Sequence, residues 1–201
     1  MITEADLDAW VRGHPREAQG IIVELIDRLL GASCPLPKEK RFPLGDSIEQ
    51  HGCDGELIPS NPFPPFVPEG RSFWEIGTGE DAGRKATKDY RDLTQEVPAD
   101  IRKESSFIFV TPHSGRKGWK HTWGDKQQKA WLAERHKKGE WANVTIIDGT
   151  RLIYWIRHFP SVESWLLSKM DKSAAGLESP DLHWELIHGI GAPPFSYPKF
   201  S

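Results

Sequence analysis

The alternation of apolar strand segments with helix-length segments after residue 70 constrains the fold of this chain more than any other feature. The segments SFWEIGT at 72–78, SFIFVTP at 106–112 and WANVTIID at 141–148 are rich in β-branched and aromatic residues, which predicts three buried strands. Helix formers fill the intervening stretches, from about Gly83 to Val97 and from Asp125 to Lys138. This alternation is typical of a mixed central sheet flanked by helices, so the chain is predicted to be an α/β protein.

The first seventy residues are predicted to add a helix and two short strands. Apolar residues recur at helical spacing from Pro15 to Leu30, where Gly31 is a stop signal, and a shorter helix is expected around Glu4 to Val11. The Pro-rich CPLPKEKRFPLGD reads as a connector. Ser47–Gln50 and Glu56–Ile58 are strand candidates on either side of the turn GCDG and would form a hairpin. Helical spacing returns after residue 150 in RLIYWIRHF and VESWLLSKM.

Length and composition predict one domain followed by a tail. The 201 residues are enough for a single substantial core, which we assign to residues 1–172. Residues 173–201 are rich in Gly, Pro and Ser and are predicted to be a linker or tail. No apolar run approaches the roughly 20 residues that a bilayer span needs, and the N-terminus is too acidic for a signal peptide. We therefore expect a cytoplasmic protein with no membrane contact.

The charge distribution limits nucleic-acid binding to a local patch. The net charge is −3, so the surface as a whole is not a general polyanion binder. Basic residues are concentrated between 113 and 138, together with Trp119, Trp123 and Trp131. The loop from His113 to Trp123 is predicted to contact phosphates and stack on bases, with Arg116, Lys117, Trp119 and Lys120 as the contacts. The tryptophans could equally be anchors that hold this loop to the core.

Two acidic residues are candidates for metal binding. Asp54 lies in the turn GCDG between Gly52 and Gly55, where a tight main chain lets a ligand come close. Glu75 lies in the middle of an apolar strand, where an unpartnered carboxylate would cost several kcal/mol of desolvation. A shared Mg²⁺, with the carbonyl of Ile76 as a third oxygen ligand, is one economical partner for both. Mn²⁺ would substitute for Mg²⁺.

A lysine near such an ion would complete a site for phosphodiester hydrolysis. The metal ion activates a water and neutralises charge on the phosphate, and a lysine orients that water or stabilises the developing oxyanion. Lys85 and Lys88 lie on one face of the helix that follows the Glu75 strand. We favour Lys85 as the catalytic lysine and assign Lys88 to nucleic-acid binding.

The order of these elements resembles a known nuclease superfamily. A helix, three strands, a helix and a strand, with Asp opening the second strand and Glu within the third, look like the restriction-endonuclease core of the PD-(D/E)XK nucleases. The string FVPEGRSFWEIGTGEDAGRKATKDYRDLT, then FIFVTP, a Trp/Lys-rich loop and WANVTIIDGTRLIYWI, is similar to the Mrr-like N-terminal nuclease domains of bacterial Avs-type anti-phage proteins, which are STAND NTPases. The resemblance covers about residues 15 to 170.

The resemblance implies a fold, an activity and a set of site residues. The fold would be an αβββαβ core with an αβα extension. The activity would be Mg²⁺-dependent cutting of double-stranded DNA, by an effector domain that works as a homo-oligomer. Asp54 and Glu75 match the two family carboxylates, and Glu24 resembles the helix carboxylate that some members add to the metal site. The family lysine usually stands two residues after the glutamate, where this chain has Gly77. Lys85 would then be a lysine that has migrated to the helix, and the tail would lead to an NTPase domain.

Other interpretations of the same residues remain open at this stage. Asp54 could be an ordinary turn residue, and Glu75 could pair with Arg71 or Arg91. The chain could keep the nuclease fold as a catalytically silent DNA-binding or oligomerisation module, or be a metal-independent protein-interaction domain. Zinc is disfavoured, because Cys34 and Cys53 are not part of a paired C-x-x-C unit.

Overall fold

A computed structural model describes residues 1–43, 52–114 and 123–170, in which seven helices and five strands occur. In chain order these are α1 (Glu4–Gly13), α2 (Pro15–Ser33), β1 (Glu39–Arg41), β2 (Gly55–Ile58), β3 (Arg71–Ile76), α3 (Ala82–Glu96), α4 (Ala99–Arg102), β4 (Ser105–Val110), α5 (Asp125–Lys138), β5 (Asn143–Ile147), α6 (Gly149–Ile156) and α7 (Pro160–Lys169). The α/β class predicted from the sequence is confirmed.

The five strands form one mixed sheet in the order β1-β2-β3-β4-β5. Strand β2 runs antiparallel to both of its neighbours, β1 and β3, whereas β3, β4 and β5 are parallel. Parallel neighbours need a crossover connection, which α3 provides between β3 and β4 and α5 provides between β4 and β5. All six residues of the interior strand β4 are buried, as expected for a parallel strand covered on both faces.

Helices cover both faces of the sheet, so the fold has three layers. On one face, Trp74 and Ile76 of β3 and Ile108 and Val110 of β4 pack in a core with residues of α1, α2, α6 and α7. On the other face, Phe73 of β3 and Phe107 and Phe109 of β4 pack with residues of α3 and α5. Side chains alternate between the two faces along a strand, so Glu75 points to the α3 and α5 side.

Local sequence signals set the ends of the helices nearest the strand ends. Asp81 caps α3, because its carboxylate accepts a hydrogen bond from the main-chain amide of Arg84 at 3.1 Å. Gly139 ends α5 with a φ of 60°, a left-handed conformation that glycine adopts readily. The cap at Asp81 starts α3 five residues after β3 ends at Ile76, which brings the first turns of the helix beside the end of the strand.

The structure corrects the predicted partner of β2. The sequence favoured a hairpin between Ser47–Gln50 and Glu56–Ile58, but Ser47–Gln50 lies outside the described residues. The antiparallel neighbours of β2 are β3 and β1, and the residues of β1, Glu39–Arg41, fall in the segment predicted to be a connector. The short helix α4 was also not anticipated. The order of the remaining helices and strands agrees with the prediction, with ends that differ by one to a few residues.

The described part of the chain fills most of the predicted domain. The last helix ends at Lys169, and the predicted tail 173–201 lies outside the described residues. Among the described helices, none has the length and apolarity that a membrane crossing would need.

Candidate metal centre

The pairing of β2 with β3 brings Asp54 and Glu75 together. Gly55 is opposite Trp74 in the antiparallel register, so Asp54, one residue before, faces Glu75. One carboxylate oxygen of Asp54 accepts a hydrogen bond from the main-chain amide of Ile76 at 2.6 Å. Asp54 and Glu75 also line a common cavity of about 480 Å³. The two acids are therefore cross-strand neighbours at one end of the sheet, although 21 positions separate them in the sequence.

Glu75 is in an environment that opposes its ionisation. The residue is only 7% exposed, and burial raises the pKa of Glu75 to about 9, with the neighbouring carboxylates of Asp54 and Asp89 adding to the rise. The ammonium group of Lys85 acts in the opposite direction. A buried carboxyl beside a second one is stabilised in its charged form when a cation binds between them, so this pKa indicates a position where positive charge would be favourable.

The arginines that could have neutralised Glu75 have other partners. The guanidinium of Arg71 contacts the carboxylates of Glu56 and Glu39 on the neighbouring strands. Arg91, on the exposed side of α3, pairs with Asp92 at 2.8 Å. Neither arginine forms an ion pair with Glu75, so the interpretation of Glu75 as half of a buried arginine pair is wrong.

Lys85 occupies the space that a side chain at residue 77 would otherwise fill. A Cβ atom placed on Gly77 would lie 2.7 Å from the ring of Phe109 and 3.1 Å from Cγ of Lys85. Lys85 therefore approaches the end of β3 from the helix and packs beside Gly77. Its Nζ atom donates to Asp89 at 2.6 Å.

Asp89 is a third acid in this region that the sequence analysis did not identify. Its side chain is 5% exposed and lines the same cavity as Asp54 and Glu75. Burial raises the pKa of Asp89, and its bond to Lys85 opposes that rise. The i, i+4 spacing of Lys85 and Asp89 was available in the sequence, but such pairs are usually solvent-exposed ion pairs. Only the packing of α3 against β3 shows that this one is partly buried.

The remaining predicted ligands are placed differently. The main-chain amide of Ile76 points to Asp54, and the carbonyl of the same residue leaves the strand on the same side, so Ile76 remains a reasonable third ligand. Glu24 instead bonds to Arg28 within α2, and the α2 residues that line a cavity at Asp54 are Gln19 and Val23. We therefore do not include Glu24 in the proposed site.

The donor set at Asp54 and Glu75 fits Mg²⁺ better than it fits a metal that needs many protein ligands. In residues 1–43, 52–114 and 123–170, no group of three or more His, Cys, Asp or Glu side chains is arranged to hold a metal ion. Mg²⁺ commonly keeps several waters and uses one or two carboxylates, so two acids and one carbonyl are sufficient. Zinc remains disfavoured, because both cysteines are free and burial raises the pKa of the Cys53 thiol to about 12.

The predicted nucleic-acid contacts are only partly described. Arg116, Lys117, Trp119 and Lys120 lie outside the described residues and stay predictions. Lys88 is exposed on α3, pairs with Asp92 at 2.9 Å, and lines both cavities that contain Asp54.

The two ends of the predicted contact loop are fixed in the core. Trp123 contacts the rings of Phe109 and Trp131, which makes it an anchor of the kind that the sequence allowed. His113, the first residue of the predicted loop, is buried. Its ring nitrogens lie 2.8 Å from a carboxylate oxygen of Asp8 and 2.9 Å from the carbonyl of Thr78.

Comparisons of the chain with protein-family models, with curated proteins and with solved structures found no match.

Proposed function

We propose that this chain is a metal-dependent endonuclease domain of the PD-(D/E)XK type, which hydrolyses phosphodiester bonds of double-stranded DNA. The observation that carries the proposal is the convergence of Asp54 and Glu75, with the main chain of Ile76, at one end of the sheet. The order α2, β1, β2, β3, α3, β4 supports the restriction-endonuclease core, and α5, β5 and α6 supply the αβα extension. A role as a cytoplasmic anti-phage effector that acts as a homo-oligomer is proposed on the sequence resemblance alone.

The side chains of the site have separate roles in this proposal. Asp54, Glu75 and the carbonyl of Ile76 would hold Mg²⁺ or Mn²⁺. When bound, the ion would supply neutralisation of charge at the scissile phosphate and acidification of a water. The ammonium of Lys85, held near the end of β3 by Gly77 and Asp89, would donate to the attacking water or to a phosphate oxygen.

Metal-dependent cutting of a plasmid tests this proposal. We expect wild-type protein to nick or linearise supercoiled DNA with Mg²⁺ or Mn²⁺ and to leave it intact in EDTA. Asp54→Asn and Glu75→Gln should each remove cutting, because each removes a ligand charge while keeping the side-chain shape. The exposed residues Asp100 and Glu69 provide matched controls, and Asp100→Asn and Glu69→Gln should cut like the wild type. Cutting by both site variants at the wild-type rate would show that the site is misassigned.

A catalytically silent module with the same fold is the second candidate. Two observations favour it: the usual strand position of the lysine is Gly77, and Lys85 is already bonded to a partly buried acid. Such a module would bind DNA and divalent ions but would not cut. Calorimetry with Mn²⁺, run beside the plasmid assay, separates the two candidates from a metal-independent interaction domain, which would bind no ion.

A further inference from the structure

The metal centre opens into two cavities of opposite charge. The first, which we call the acidic cavity, has five carboxylates in its lining: Asp54, Glu75, Asp89, Asp92 and Glu96. The second, which we call the basic groove, has a volume of about 870 Å³ and lies between α2 and α3. Its lining includes the cations Arg84, Lys85, Lys88 and Arg91. Both cavities reach the metal centre, because Asp54, Lys85 and Lys88 line both of them.

We propose that the basic groove carries the phosphate backbone of the DNA strand that is cut, and that Arg84 and Arg91 hold that backbone on either side of Lys88. The inference rests on the proposed nuclease function and adds the path of the substrate. A polyanion approaching from the acidic cavity would meet several carboxylates, whereas the basic groove presents four cations against Asp54, Glu80 and Asp81. Electrostatics therefore selects the groove as the direction of approach.

The cations of the groove are arranged as a stripe along α3. Residues 84, 88 and 91 follow the i, i+4, i+7 spacing that places side chains on one helix face. Seven residues of helix extend about 10 Å, which matches the rise of about three nucleotides along one strand of duplex DNA. The stripe has the length needed to contact successive phosphates of a strand whose scissile bond lies at Asp54.

These cations are available to a phosphate. The side chains of Arg84, Lys88 and Arg91 are 86%, 63% and 64% exposed, and their ion pairs are with Asp81 and Asp92. Exposed pairs of this kind contribute little to stability. A phosphate can therefore replace Asp81 or Asp92 as the partner of these cations with little loss of stability. Residues 76–79 line the groove, and the space beside the Cα atom of Gly79 is open, so a strand can come close to the main chain there.

Binding measured without cutting tests the groove independently of catalysis. Fluorescence anisotropy of a labelled 30-base-pair duplex in EDTA gives the dissociation constant at several KCl concentrations. Each phosphate contact contributes about 0.9 to the slope of log affinity against log salt. The double variant Arg84→Gln, Arg91→Gln should lower the steepness of the slope by about 1.8. Between about 50 and 200 mM KCl, wild-type affinity should therefore fall about 12-fold more than that of the variant. Arg41→Gln, Arg157→Gln, at exposed positions of β1 and just after α6, is the matched control and should keep the wild-type slope.

The outcomes separate this proposal from the proposed nuclease function. A wild-type slope in the Arg84→Gln, Arg91→Gln variant, with the fold intact by circular dichroism, would overturn the groove. Absence of salt-dependent binding by the wild type would also overturn it. Binding with the expected loss in the α3 variant, together with no cutting in Mg²⁺ or Mn²⁺, would keep the groove and remove the nuclease function. An RNA duplex that binds more tightly, with the same loss, would keep the groove and overturn DNA as its partner.

Discussion

Replacing Glu75 by glutamine should make the metal-free protein more stable at neutral pH while removing the proposed cutting activity. The unfolded carboxyl ionises near its ordinary pKa of 4.5, whereas burial and the acid neighbours raise the pKa of the folded Glu75 to about 9. Between these values the folded chain holds a proton that the unfolded chain has released. The free energy of unfolding of the wild type therefore falls as the pH rises from 4.5 to 9.

The size of this effect follows from the width of that window. When the folded protein binds one proton more than the unfolded chain, the free energy of unfolding changes by about 1.4 kcal/mol for each pH unit. The ionisation of Glu75 should therefore lower the free energy of unfolding by about 3 kcal/mol between pH 4.5 and pH 7. Glutamine has nearly the same shape and does not ionise. The Glu75→Gln variant should lack this part of the pH dependence and be more stable than the wild type at pH 7 by a similar amount.

Urea unfolding in EDTA, from about pH 5 to about pH 8, measures the difference directly. The other titrating groups are common to both proteins and cancel when the wild type is compared with the variant. Glu69→Gln, at an exposed position, should follow the wild-type curve. Parallel curves for the wild type and Glu75→Gln, or a less stable variant at pH 7, would refute the reasoning.

Three further predictions concern the surroundings of the site. Lys85→Met should reduce cutting at least about 100-fold, yet leave Mn²⁺ affinity from calorimetry nearly unchanged, whereas the exposed Lys103→Met should cut normally. Gly77→Ala should lower the free energy of unfolding by about 1 to 3 kcal/mol in urea titrations, because its Cβ enters occupied space. His113→Ala should lower the free energy of unfolding by about 2 to 4 kcal/mol in the same assay, because it leaves a cavity at a buried position and removes the ring contacts to Asp8 and to the carbonyl of Thr78.

The strands β3 and β4 at the candidate metal centre could be predicted because their burial leaves a strong pattern. Apolar residues surround Glu75, and β4 carries an apolar run from Phe107 to Val110, so both strands and the helix between them were anticipated. Strand β1 could not be predicted in the same way. Its three side chains are all exposed, and its pairing with β2 depends on main-chain hydrogen bonds that leave no hydrophobic pattern in the sequence.

The candidate site shows a similar division. Asp54 and Glu75 could be identified because one is held between glycines and the other interrupts an apolar strand. Asp89 and His113 could not, because their importance depends on which elements pack together. Asp89 becomes part of the site when α3 lies on β3, and His113 becomes a buried link between α1 and Thr78 when α1 covers the end of β4.

The charged three-residue strand β1 has a consequence for how copies of this chain could associate. It is the edge of the sheet, and Glu39, Lys40 and Arg41 are all exposed there. Short, charged edge strands disfavour the addition of a strand from another molecule. Two copies that cut opposite DNA strands would therefore not join by continuing the sheet past β1. Their contact would have to come from surfaces other than this edge.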